Sequence, residues 1–156
     1  MNLPIKALCL NGNTEGEKIE IFIGEVFGFP ENTGHDGGYD FKGTVSICVG
    51  SYAVNDAIIY CSTGALYRFF TDLKQCYQSL EGTAELRHSL ENELVFVLKM
   101  TKMGHGVVEG EYREFPHLSN KLTFEMKTDQ SCKPTAIDEL LNIEKLFGNN
   151  YGLRRN

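Results

Sequence analysis

The sequence predicts an α+β fold: an antiparallel β-sheet of about seven or eight strands with two amphipathic helices, in the order β-β-β-β-α-β-β-β-β-α. Three observations carry this. Several segments alternate apolar and polar residues with period two, as Val45, Ile47 and Val49 do against Ser46, Cys48 and Gly50. The connections between consecutive segments are short, which favours hairpins over crossover units. Two segments instead place apolar residues at spacings of three and four: Leu66, Phe69, Phe70, Leu73, Cys76, Tyr77 and Leu80, then Ile137, Leu140, Leu141 and Phe147.

Taken in order, Pro4 to Leu10 reads as a short apolar strand, closed by the turn Asn11-Gly12-Asn13. Glu17 to Phe27 is the next strand, with Ile19, Ile21 and Ile23 on one face. Gly28 to Gly38, GFPENTGHDGG, is a loop with four glycines and one proline. Its side chains show no pattern that would pack, so an exposed, mobile surface loop is expected. Strands follow at Tyr39–Gly50, with Gly43 a candidate break, and at Tyr52–Cys61. Ser62-Thr63-Gly64 stops the strand and opens the first helix, and Gly82 occupies the position expected of a C-terminal cap. Four more extended segments are read at Thr83–Ser89, Leu94–Met103, Gly106–Glu114 and Lys121–Thr128. Pro134, with Thr135 and Asp138, predicts the start of the last helix in capping-box style, and Gly148 ends it. The β-rich run before each helix hints at a duplicated plan, without a residue-level repeat.

A chain of 156 residues accommodates one ordinary domain, read here as residues 1–148, with a polar, frayed tail over 149–156. No apolar run approaches the roughly 18 residues needed to span a membrane, and MNLPIKALCLNGN lacks the pattern of a secretory signal. A cytoplasmic protein with no membrane partner is the expectation. The five cysteines are odd in number and form no CxxC pair, so reduced, packed thiols are expected rather than a metal or disulfide framework.

The net charge of −6 is concentrated. Residues 15–40 hold seven acids and one base, while the rest of the chain balances at fourteen of each. Nucleic acid is therefore excluded as an expected partner, because phosphate contacts need a basic surface. A basic protein partner fits instead, against the plain alternative of a solvated acidic face. Glu31, Asp36 and Asp40 are the candidate partner-binding residues in the glycine-rich loop, and Glu109, Glu111 and Glu125 are the candidates on a sheet face.

No catalytic residue, cofactor site or metal site is assigned. HDGGYD in the loop lacks the alternating oxygen ligands of a calcium loop and the Lys-Ser/Thr of a phosphate loop. Glu109, Glu111 and Glu125 are read as a solvated face rather than a paired-carboxylate centre. His35, His88, His105 and His117 are scattered, and nothing in the sequence pairs them with a nucleophile.

The run GGYDFKG…GSYAV…YCSTGALYRFFTDLKQCYQSLEGTAEL, continued by GHGVVEGEY and NKLTFEMKTDQS, resembles the bacterial WapI-type immunity proteins from about Ile19 to Gly148. The STGALY–CY–L–G block is its specific part. The resemblance implies a protein encoded beside a polymorphic secreted toxin that binds and neutralises the toxin's C-terminal domain without catalysis. A nuclease toxin is an extension from the chain's acidity. The competing reading is a small-ligand-binding or hydrolytic domain using the Gly34–Asp40 loop. After Thr128-Asp129-Gln130 similar sequences continue with an aromatic and a β-branched residue. Here Ser131-Cys132-Lys133-Pro134 stands instead, so a different start to the last helix is expected.

Overall fold

Eight strands and two helices form in the expected order, and the strands divide into two antiparallel four-stranded sheets. The structure, a computed structural model, describes residues 1–155, excepting the side chains of Lys102 and Lys133. The first sheet is a meander of β1 (Ile5–Asn11), β2 (Lys18–Val26), β3 (Asp40–Val49) and β4 (Tyr52–Ser62), followed by helix α1 (Thr63–Ser79). The second repeats the plan with β5 (Gly82–Leu86), β6 (Leu94–Met100), β7 (His105–Tyr112) and β8 (Leu122–Asp129), followed by α2 (Lys133–Phe147). The duplicated plan is thus present in the architecture.

Period-two alternation sets the register of both sheets. Leu8, Ile21, Val45 and Ala57 form one cross-strand row of the first sheet, and Leu10, Ile19, Ile47 and Val54 form the next. Ala84, Leu98, Val108 and Met126 form the matching row of the second. These inward rows join one continuous core with the apolar sides of both helices. A one-residue slip in either sheet would turn a whole row to solvent, so burial itself fixes the pairing. β3 runs unbroken through Gly43.

Each helix serves the sheet of the other half. α1 runs beside β5 and stacks Phe69 on Phe96 of β6, edge to face at 5.4 Å. α2 lies along β1, where the Glu139 carboxylate accepts the outward-facing Cys9 N–H at 2.9 Å. Burial pushes the Glu139 carboxyl above the usual carboxylate range, while the Cys9 amide opposes that shift.

Two helix ends, the last turn of α1 and the first of α2, depart from the sequence expectation. α1 is capped at its C-terminus by Leu80 in the left-handed region (φ 56°), whose N–H donates to the Cys76 carbonyl at 2.8 Å, so Gly82 instead opens β5. α2 begins at Lys133, with Pro134 in its first turn, and Thr135 does not cap it. Asp129 accepts from the Ser131 N–H and hydroxyl just before this turn. Tyr77 and Leu141 fall outside the buried stripes, while Ala136 and Ile143 fall inside them. Among the described residues the five cysteines form no disulfide; Cys9, Cys61 and Cys76 are buried, and Cys48 and Cys132 are half-buried. Burial pushes the Cys61 thiol up to about 12.

Candidate functional site

The glycine-rich loop between β2 and β3 packs, contrary to the reading of its sequence. Phe29 stands edge-on to Tyr39 at 5.1 Å and to Phe147 at 5.2 Å, which pins the loop's first turn to the end of α2. The Tyr39 hydroxyl donates to the Pro30 carbonyl at 3.1 Å. The loop's far end is zipped to the start of α1. The Thr63 N–H donates to the Tyr39 carbonyl, the Tyr39 N–H donates to the Thr63 hydroxyl, and each bond is 2.8 Å. Glycine is required on both sides of this seam. A Cβ at Gly64 would lie 2.3 Å from the Gly37 carbonyl oxygen, and one at Gly38 (φ +60°) would lie 2.3 Å from the Thr63 hydroxyl.

Asp36 sits inside this arrangement. Its carboxylate is 4% exposed, although the sequence reading grouped it with the partner-facing acids. One oxygen accepts the Ser62 hydroxyl at 2.6 Å and the Arg68 guanidinium at 2.9 Å. The other accepts the Ser89 N–H at 2.9 Å. Burial alone would raise its pKa, but the bonds from Ser62, Ser89 and Arg68 outweigh that and hold it below the usual aspartate range. Ser62 is also the N-cap of α1, accepting the Ala65 N–H at 2.9 Å. One hydroxyl therefore closes the helix and anchors the loop, with an anion at the favourable end of the helix dipole.

Two further strands of the chain join here. Arg68 donates to the Asp36 carbonyl and to the Asn150 side chain, both at 2.7 Å, and the Gly38 N–H donates to the Asn150 carbonyl at 2.7 Å. The segment after α2, expected to fray, is thus tied to the loop through Asn150. On the other flank the Leu90 and Glu91 N–H groups both donate to His88 Nδ1, at 3.0 and 2.9 Å. That nitrogen accepts, so the ring proton sits on Nε2. Nε2 faces Asp40 Oδ1 at 3.4 Å and Asp36 Oδ2 at 3.8 Å.

Ser62, His88 and Asp36 have the residue types of a hydrolytic triad but not its wiring. The Ser62 hydroxyl donates to Asp36 rather than to a histidine nitrogen, and Ser62 is 0% exposed. The dent over the loop, of about 270 Å³, is shallow and lined by Thr33, His35 and Tyr151 among others. Among the described residues no group of three or more His, Cys, Asp or Glu is placed to hold a metal. Among the described residues no helix is long and apolar enough to cross a membrane.

The remaining candidates lie on two surfaces. Glu31 is exposed on the loop, and Asp40 is half-exposed beside His88. Glu109, Glu111 and Glu125 share the outward face of the second sheet. Glu109 and Glu125 are direct cross-strand partners, which sets like charges side by side. Lys99 meets Glu109 at 3.0 Å and Lys121 meets Glu111 at 3.6 Å. Sequence reasoning missed Arg68, His88 and Asn150, which organise the loop from positions 32 to 112 residues away from their partners in it. The helical position of Arg68, three residues past the Ser62–Ala65 start of α1, was the only sequence signal near it.

Comparison with curated proteins gives no match, and comparison with solved structures gives none. Comparison with protein families matches residues 9–148 to the family described as Immunity protein WapI-like. That match covers both sheets except the first four residues of β1, both helices and the Asp36 loop, and the chain belongs to the WapI-like immunity protein family.

Proposed function

We propose that this protein binds the C-terminal domain of a cognate secreted toxin and neutralises it by occlusion, without catalysis. The observation that carries the reading is the family match over residues 9–148, nearly the whole fold. The toxin domain we infer is a basic one, of nuclease type, because the net charge of −6 is concentrated in residues 15–40. Charge of that sign steers a basic partner and speeds encounter. The action is assigned to the cytoplasm of the producing cell, where such a toxin would reach nucleic acid.

Within this reading the partner-facing acids are Glu31 on the loop and Asp40 at the start of β3, with Glu109, Glu111 and Glu125 on the second sheet. Asp36 takes a different role: it sets the shape of the loop that presents Glu31. Co-expression with the toxin domain encoded by the adjacent gene tests the proposal. The expected result is restored growth together with a one-to-one complex on gel filtration. A toxin that still kills in the presence of soluble, folded protein would sink it.

A further inference from the structure

Four strands are sheet edges: β1, β4, β5 and β8. An edge exposes unpaired N–H and C=O groups and recruits other chains unless it is covered. Two of these edges, β1 and β5, are shielded by the chain's own helices, and β8 is closed in its second half. α2 lies on β1 and its Glu139 takes the Cys9 N–H, while α1 runs beside β5. The turn after β1 meets the second half of β8, where the Asn13 N–H donates to the Lys127 carbonyl at 2.8 Å.

β4 differs. From Tyr52 to Ile58 it is exposed apart from Val54 and Ala57, which are half-buried. Its free edge faces an open groove of about 570 Å³, walled on the far side by Tyr112, Glu114 and Asn120 to Leu122. The Tyr112 hydroxyl reaches across and donates to the Ile58 carbonyl at 3.1 Å, so that carbonyl points away from β3 into the groove. Ile58 in its wall is a large apolar side chain left exposed, and exposed Tyr52 and Phe115 directly adjoin the lining residues Ala53 and Glu114 in sequence.

We propose that the β4 edge is the docking edge for an extended, basic strand of the partner, which adds to the first sheet and lies in this groove. The proposal rests on the immunity reading and names its contact surface. Backbone pairing would supply affinity and the exposed apolar side chains would supply anchors. Charge selects the occupant. Asp56 and Glu114 line the groove, and Lys121, the one cation among its described lining residues, is bridged to Glu111 at 3.6 Å. A second copy of the chain fits less well. At Asp56 (φ +46°) the strand bulges, and two-fold antiparallel pairing centred there would set Asp56 against itself, between chains of net charge −6.

The test is hydrogen exchange of the full chain with and without the toxin domain encoded by the adjacent gene, alongside binding of the Ala53→Lys/Ile58→Lys variant. Both positions are exposed, so the variant should keep the parental melting temperature. Slowed exchange of the amides at 53–58 in the complex, with affinity lowered about tenfold or more in the variant, is the expected result. Binding that leaves those amides unprotected overturns the edge proposal and keeps the immunity reading. A free protein that light scattering shows to be a dimer, dissolved by the variant, hands the edge to a second copy and overturns it too. No binding by the parent protein overturns the immunity reading and the edge proposal with it.

Discussion

The Asp36 carboxylate and the Arg68 guanidinium meet at 2.9 Å across 32 positions of sequence, joining the β2–β3 loop to the second turn of α1. Arg68 remains half-exposed while Asp36 is buried. The pair's weight therefore lies in the bonds Asp36 satisfies rather than in the charge attraction.

Asp36→Ala strands the Ser62 hydroxyl and the Ser89 N–H and leaves Arg68 only its bonds to the backbone carbonyl at position 36 and to Asn150. The expected loss is about 1–3 kcal/mol by urea denaturation, the cost of leaving such groups unpaired. A loss under about 0.5 kcal/mol would show that water replaces the carboxylate freely.

Two carboxyls give the pH profile opposite slopes. Asp36 is held below its unfolded value, so its stabilisation is complete above about pH 4 and is lost as pH falls further. Glu93 runs the other way. Burial, with Glu91 adding, pushes its carboxyl above the usual range, and its Oε2 is buried without a hydrogen-bond partner. It destabilises once pH rises past its unfolded value, and that cost fades as pH falls. Glu93→Gln should raise the melting temperature at pH 7 and change it little at pH 4. An equal shift at both pH values would remove the titration from the account.

Leu73 is 0% exposed and faces the shared core. Leu73→Ala should cost about 2–5 kcal/mol. Tyr77, one turn on but exposed, should tolerate alanine with a loss under about 0.5 kcal/mol. Equal effects in denaturant titrations would contradict the assignment of the buried stripe.

Glu31→Lys with Asp40→Lys reverses one charge on the loop and one at its junction with β3, and leaves Asp36 in place. Association with the toxin domain should slow by about tenfold at low ionic strength, with the difference shrinking as salt screens it. An unchanged rate at low salt would make these two acids solvated surface and leave Glu109, Glu111 and Glu125 as the acidic contact.

The elements were legible because each rests on local spacing. Leu66, Phe69, Phe70 and Leu73 define a helix face wherever the rest of the chain goes, and Val45 and Ile47 define a strand face in the same way. Partition into two sheets was not legible, because alternation in β4 and β5 looks the same whether or not they pair. The Asp36 loop was misread for a related reason. Its partners Ser62, Arg68 and Ser89 lie 26, 32 and 53 positions away, and glycines look equally slack whether they face solvent or another backbone. Leu80 displaced Gly82 as the cap because the helix ends at Ser79, which puts its cap two residues before the glycine.

The crossed arrangement of the helices makes protection indivisible. Residues 1–79 contain the first sheet and the helix that covers the second; residues 82–155 contain the second sheet and the helix that covers the first. Either half alone would expose a sheet edge that only the other half's helix closes. A chain released early from the ribosome would therefore confer no partial immunity. Two separately made halves would regain their covers only by finding each other, so a gene split near Glu81 should function only when both pieces are present together.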